Sequence, residues 1–306
     1  MAASEPLSPN MRGALFMSAS MAGFSSNDAM IKLVAGEVPL FQAILIRGTF
    51  LVLMLGTIAW ASGALRIRLS RRDRWIMTLR TAGEIGGTFC FLTALFNMPI
   101  ANASPLPQSL PLAITLAAAL FLGEPVGWRR YLAIAIGFIG VLVIVRPGSD
   151  GFNSYSLFAV AAIGFIVLRD LSTRALSPAV PSLYAAFVTG AAITAAAALM
   201  VLVRQDWVTP EPQHLLTLAI GACCLIVGYI FGVMSMRVGQ ISVVSPFRYT
   251  LLLWAIGFGW LLFGERPDAF MLLGAGIIVG TGLYTFSRER KLDALERQRI
   301  RDLSKS

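Results

Sequence analysis

Residues 28–39 read DAMIKLVAGEVP, and residues 170–181 read DLSTRALSPAVP. At one constant offset Asp28 meets Asp170, Lys32 meets Arg174 and Pro39 meets Pro181. Shortened by a single residue, the same offset pairs Gly87 with Gly228, Ser104-Pro105 with Ser245-Pro246, and Gly123-Glu124 with Gly264-Glu265. Charged and helix-breaking residues are rare in apolar sequence, so a whole set aligned by one offset with one slip marks an internal repeat. The chain consists of two halves of common design.

Outside these anchors the sequence is strongly apolar. Of the 306 residues, 57% are hydrophobic and 13% charged, against roughly a quarter charged in a soluble domain. The apolar residues come in blocks near the roughly 20 residues that a helix needs to cross a hydrocarbon core, without the alternation of barrel strands. This predicts an all-α polytopic membrane protein with spans near 11–34, 39–62, 75–97, 101–122, 128–146, 153–173, 181–203, 213–236, 241–263 and 269–287. The first block is too long for a signal peptide and carries Asp28 and Lys32 at its far end, so it reads as a span. The links are short, which leaves no room for an inserted soluble domain.

The expected organisation is a tail at 1–10, a first five-helix repeat at 11–146, a second at 153–287 and a basic tail at 288–306. Five is an odd number, so the second repeat enters the membrane from the opposite face and the repeats are inverted. Inverted repeats suit alternating access, in which two halves exchange conformations around a central site.

Cationic loops are retained in the cytoplasm. Arg12, the cluster Arg66 to Arg74, Arg129, Arg130, Arg169, Arg174, Arg237 and the tail cations fall on one face; Lys32, Arg146, Arg204 and Arg266 fall on the other. Both termini are therefore expected in the cytoplasm of a bacterial cell, with the chain in the inner membrane. The net charge of +9 describes this asymmetry rather than a nucleic-acid surface, because nothing folds outside the bilayer to carry one. Cys90, Cys223, Cys224 and the single His214 form no disulfide or metal pattern. No cofactor is expected.

Charged and strongly polar groups at membrane depth are costly and tend to face a cavity or a partner. Asp28 with Lys32, and Asp170 with Arg174, are each spaced i to i+4 on one helical face. They are candidate gates at opposite mouths, or interfacial charges that compensate each other. SPLPQSLP in the fourth span aligns with SPFRYTLL in the ninth. Pro105, Pro107 and Pro246 remove backbone donors there, which membrane tolerates only beside protein or a wet cavity. Gln108, Arg248 and Tyr249 offer amide, guanidinium and phenol groups to a solute. Glu84, with Arg80 one turn before it, is a candidate for solute binding and proton coupling, or a fixed structural pair. Arg47 reads as structural, tying helices together or reaching the headgroups. Gly137 and Gly140 in the fifth span, and Gly276 and Gly280 at small-x-x-x-small spacing in the tenth, suit close packing within a monomer or, alternatively, in a homodimer.

Ten spans, halves of similar length, PLFQAILIRG in the second span, and LFLGEPVGWRR mirrored by LLFGERPDAF together resemble the drug/metabolite transporter superfamily, in its ten-helix EamA-type branch. In the second copy of the Gly-Glu-x-Pro-like motif Pro267 falls one position later than Pro125 does in the first. The resemblance implies a secondary transporter of a small organic solute, with a cavity lined by spans 1, 3, 4, 6, 8 and 9 and with membrane lipid around it. NMRGALFMSASMAGFSSNDAMIK and RDLSTR further resemble bacterial riboflavin carriers of this branch, which makes a planar vitamin the first expectation and an amino-acid or drug/metabolite exporter the alternative. A membrane-embedded lipid-modifying enzyme would need clustered His, Asp or Cys, and the sequence offers none. Nor does it contain a Walker lysine motif for direct ATP drive.

Overall fold

A computed structural model describes residues 8–121, 127–148, 152–238 and 241–303. The described residues form helices α1 (Pro9–Leu33), α2 (Leu40–Ala61), α3 (Arg71–Asn97), α4 (Ile100–Ala103), α5 (Leu110–Phe121), α6 (Trp128–Val145), α7 (Ser156–Ala175), α8 (Ser182–Arg204), α9 (Pro212–Val238), α10 (Ile241–Val244), α11 (Thr250–Phe263) and α12 (Ala269–Leu303). Two 3-10 turns, Leu106–Ser109 and Ser245–Tyr249, join α4 to α5 and α10 to α11. The result is ten helical rods, two of them composite. Eight rods are long and apolar enough to cross a membrane. The other two, α1 and α3, carry polar groups through their length, including Ser20, Asn27 and Asp28 in α1 and Arg80 and Glu84 in α3.

Local chemistry sets the helix ends. Ser8 accepts the Met11 amide at 3.3 Å at the start of α1, where Pro9 needs no donor partner. Ser70 caps α3 by accepting the Asp73 amide at 3.0 Å, while its hydroxyl donates to the Asp73 carboxylate at 2.7 Å. Pro39 and Pro181, partners in the sequence repeat, occupy the same position immediately before α2 and α8. The last helix runs well past the expected end of the tenth span and takes in most of the basic tail.

The main helix contacts join the first half of the chain to the second. The longest interfaces are α1 with α9, α3 with α7, α2 with α8 and α6 with α12. Gly228 of α9 admits Phe24 of α1, whose ring a β-carbon there would meet at 3.0 Å; Gly87 of α3 admits Ile166 of α7, at 3.1 Å. At Gly23 and Gly83 the approach is closer still, since a β-carbon would meet the backbone of α9 at 2.8 Å and of α7 at 2.7 Å. The α6 and α12 contact uses Gly140 against Gly274, each facing the other's carbonyl oxygen, whereas Gly276 and Gly280 have nothing within 4 Å. Close packing within the chain therefore uses Gly140, as expected, but meets α12 at Gly274, two residues before Gly276. Leu53, Trp60, Trp75, Leu120 and Trp128 project outward as apolar cover, which suits a lipid-facing surface.

Candidate transport cavities

The proline-rich segment of the fourth span does not continue as α-helix. With Pro107 and Pro111 unable to donate, the chain leaves α4 at Ala103, tightens into 3-10 geometry and resumes as α5. The ninth span repeats this at Ser245–Tyr249. These two irregular turns line one cavity of about 410 Å³, which holds Pro107, Gln108, Pro246, Arg248 and Tyr249. Helix α7 adds Arg169 and Asp170, and Met21, Phe24, Leu110, Ile114 and Leu251 form apolar wall. Tyr249 is held in place by α12, because its hydroxyl occupies the space that a β-carbon on Gly282 would need. Pro105 lies one turn below, beside the buried Leu106.

A second cavity of about 200 Å³ lies between α1, α2, α3, α8 and α9, and contains Asp28, Arg47, Arg80, Glu84, Thr189 and Tyr229. The cavity implied by the resemblance is therefore divided: spans 1, 4, 6, 9 and 10 line the larger chamber, and spans 1, 2, 3, 7 and 8 the smaller. Arg169 stands at the partition. Its Nη1 reaches Glu84 at 3.1 Å and its Nε reaches Asp170 at 2.7 Å. The sequence places Arg169 among the cytoplasmic loop cations; the structure turns it inward, because Gly83 allows α3 to come within contact of the α7 backbone beside it.

Several residues have partners other than those their spacing implied. Lys32 does not pair with Asp28. Its Nζ lies 2.7 Å from Glu265 and donates to the Met98 carbonyl at 2.7 Å, with the Phe263 ring 5.1 Å away. Gly264 makes this possible, since its left-handed φ of 63° closes α11 and turns Glu265 back into the bundle. Asp28 instead accepts the Asn27 amide at 3.0 Å. Asp170 is bound by its neighbour Arg169, and Arg174 is exposed at the end of α7. The equivalent Gly123-Glu124 of the first repeat lies outside the described residues. Glu84 has Arg80 at 3.8 Å as well as Arg169, so it sits between two guanidiniums. Arg47 does not reach the headgroups: it is 7% exposed and its Nη1 donates to Asn27 at 3.0 Å.

Further contacts close the face on which Lys32 lies. His214 meets Glu37 at 2.7 Å, Asn153 donates to the Asn97 carbonyl at 3.1 Å, and Arg146 pairs with Asp268. Burial pushes the Asp268 carboxyl up, but the Met271 amide and Arg146 outweigh it and hold the group below its ordinary range. At the opposite face Asp73 bridges α3 to the segment after α7, accepting the Ser177 amide and hydroxyl, both at 3.1 Å. The Ser70 hydroxyl and then Ser177 hold its carboxyl below the usual range.

Comparison with known proteins fits this arrangement. The model of the EamA-like transporter family matches twice, over residues 11–146 and 154–287, and the chain belongs to that family. It is a multi-pass membrane protein that transports a small metabolite, and it is not an enzyme. It is 28% identical to the pseudopaline exporter CntI of Pseudomonas aeruginosa, over 88% of this chain and 93% of that one. To the S-adenosylmethionine uptake transporter of Rickettsia felis it is 27% identical, over 89% and 91%. The riboflavin transporter of Vibrio cholerae is 32% identical over 72% and 74%. One solved crystal structure shares the fold, with a TM-score of 0.64, 20% identity and coverage of 92% of this chain and 98% of that one.

Proposed function

We propose that the protein is a secondary carrier that works by alternating access between two inverted five-helix repeats, residues 11–146 and 153–287, around the Arg248 cavity. Support comes from the repeat itself, whose partners Phe24 and Ile166 seat on partner glycines Gly228 and Gly87. Exchanging the halves turns the α1 and α9 contact into the α7 and α3 contact, and maps α2 with α8 and α6 with α12 onto themselves. Two packed halves with equivalent contacts can trade conformations at little net cost.

In this reading Lys32 and Glu265 latch one mouth, and Gly282 to Phe286 place the large cavity roughly 20 Å along α12 from that face. The positive-inside asymmetry puts the latched mouth at the periplasm and both termini in the cytoplasm. The cavity then faces inward. Arg174 belongs to the opposite mouth, while Asp28 and Asp170 serve the cavities rather than the gates.

The solute is a small organic metabolite that carries charge of both signs and a flat group. The observation that carries this is the joint presence of Arg248 and Asp170 in one cavity beside the Tyr249 ring. Arginine binds carboxylate oxygens through its planar fork, an ionised aspartate receives a cationic group, and an aromatic face accepts a planar ring. Gln108 adds an amide donor and acceptor. The cavity volume falls within the range of small-molecule sites. S-adenosylmethionine, the solute in one relative's name, has all of these groups. Riboflavin is the second reading, favoured by the relative with the higher identity, and it would use Tyr249 and Gln108 without needing charges of both signs.

Thermal stabilisation of the purified protein tests the choice. Saturating S-adenosylmethionine should raise the melting temperature of wild type but not of Arg248→Ala, while riboflavin leaves both unchanged. Stabilisation by riboflavin alone would overturn the charged-solute reading.

A further inference from the structure

The smaller cavity contains a carboxyl whose hydrogen bond comes from a neutral amide, next to a guanidinium with one donor unused. Asp28 Oδ1 accepts a hydrogen bond from the neutral Asn27 amide at 3.0 Å. The nearby guanidinium of Arg47 spends its Nη1 on the oxygen of that same amide, at 3.0 Å. Its Nε–H has no protein partner although Arg47 is 7% exposed. A buried guanidinium donor left unused is costly and calls for an explanation.

The other charged groups around the cavity are already committed. From α3, Glu84 is held between Arg80 at 3.8 Å and Arg169 of α7 at 3.1 Å. Arg80 also donates to Thr189 of α8, and Tyr229 of α9 closes the far wall. Both guanidiniums engage Glu84, which makes it a fixed ion-pair partner between α3 and α7. Asp28 has one neutral donor and lines the cavity.

We propose that Asp28 is a proton-binding site of this carrier. Its carboxyl holds a proton while Arg47 bonds to Asn27; on releasing that proton to cavity water, the carboxylate takes the free Nε–H of Arg47. Proton and guanidinium thus compete for one carboxylate: with the proton bound, Arg47 keeps only the neutral Asn27 amide, and with the proton released it gains the carboxylate as counter-charge. The exchange moves the Asn27 and Asp28 turn of α1, the helix that carries Lys32 one turn further on. Proton occupancy is thereby tied to the helix that closes the opposite mouth. Glu84, the acid that sequence position alone favoured for this role, acts as a fixed anchor for the partition. The site does not depend on which solute the large cavity takes.

Infrared difference spectroscopy of the full-length protein in lipid nanodiscs tests this without a solute. Spectra between about pH 6 and about pH 9 exclude exposed carboxyls, which are already ionised there. Wild type should lose a protonated-carboxyl carbonyl band on going alkaline. Asp28→Asn should lack that band and Glu84→Gln should retain it, each variant being first shown to elute as a single folded species. Arg47→Gln, which removes the competing cation, should move the band's midpoint to higher pH. Should Asp28→Asn fail to fold, Asp28→Glu replaces it and should keep the band at a shifted frequency. A band absent from wild type, retained in Asp28→Asn, unshifted in Asp28→Glu or lost in Glu84→Gln would overturn the proposal.

Discussion

Replacing Glu265 with Gln removes one charge from the latch while keeping its shape. The Lys32 and Glu265 side chains are 11% and 14% exposed and 2.7 Å apart. An exposed ion pair contributes about 0 to 1 kcal/mol, and breaking a buried one costs about 3 to 5 kcal/mol. This pair is mostly buried, but Lys32 retains the Met98 carbonyl and the Phe263 ring as partners, so about 2 kcal/mol is a reasonable value for the loss. At roughly 1.4 kcal/mol per factor of ten, the closed state should lose about thirty-fold in population relative to the open one. Met98 is 6% exposed beneath the latch. In a background lacking Cys90, Cys223 and Cys224, a Met98→Cys probe should therefore react on the order of thirty times faster with a membrane-impermeant thiol reagent applied from the Lys32 face. Glu265→Lys combined with Lys32→Glu should restore slow labelling. Unchanged labelling in Glu265→Gln would refute the latch, because it would mean that the pair does not hold that mouth shut.

Four further outcomes follow from the geometry. Gly282→Ala should push Tyr249 out of the large cavity and weaken solute-induced thermal stabilisation about tenfold or more in ligand concentration, with little change in unliganded melting temperature. Arg248→Ala and Gln108→Ala should each reduce uptake while membrane abundance, read by immunoblot, stays at the wild-type level. Glu84→Gln leaves Arg80 without its carboxylate while Arg169 keeps Asp170, so it should lower the melting temperature, and Arg80→Met combined with it should recover part of the loss. Asp73 has its folded carboxyl depressed, so its stabilising effect is present above the unfolded value near pH 4 and is lost as pH falls through the folded one. The melting-temperature gap between wild type and Asp73→Asn should therefore close on acidification.

The sequence makes the helices legible because crossing a bilayer demands long apolar blocks, and the repeat is legible because prolines and charges stand out against them. Proline chemistry also announces the 3-10 turns at Leu106–Ser109 and Ser245–Tyr249, and with them Gln108, Arg248 and Tyr249. Partners are another matter. Lys32 and Glu265 lie more than two hundred residues apart, and an i to i+4 aspartate is the obvious local choice until α11 is folded against α1. Arg169 reads as a loop cation because it sits near the end of an apolar block, and only the glycine contact between α3 and α7 shows that it turns inward. Gly83 and Gly87, spaced four apart on α3, were the available signal for that approach. Arg47 reads as structural, tying helices together or reaching the headgroups, and its bond to Asn27 of α1 is the first of these; the smaller chamber beside it becomes visible only when α2 meets α8.

Counterflow in proteoliposomes tests the central claim most directly. Vesicles loaded with unlabelled S-adenosylmethionine and diluted into a trace of the labelled compound require both binding at the central site and exchange between its two faces. Wild type should show a transient overshoot of internal label, and Arg248→Ala should show none above protein-free vesicles. An equal overshoot in both would contradict the assignment of the Arg248 cavity as the site through which the solute passes.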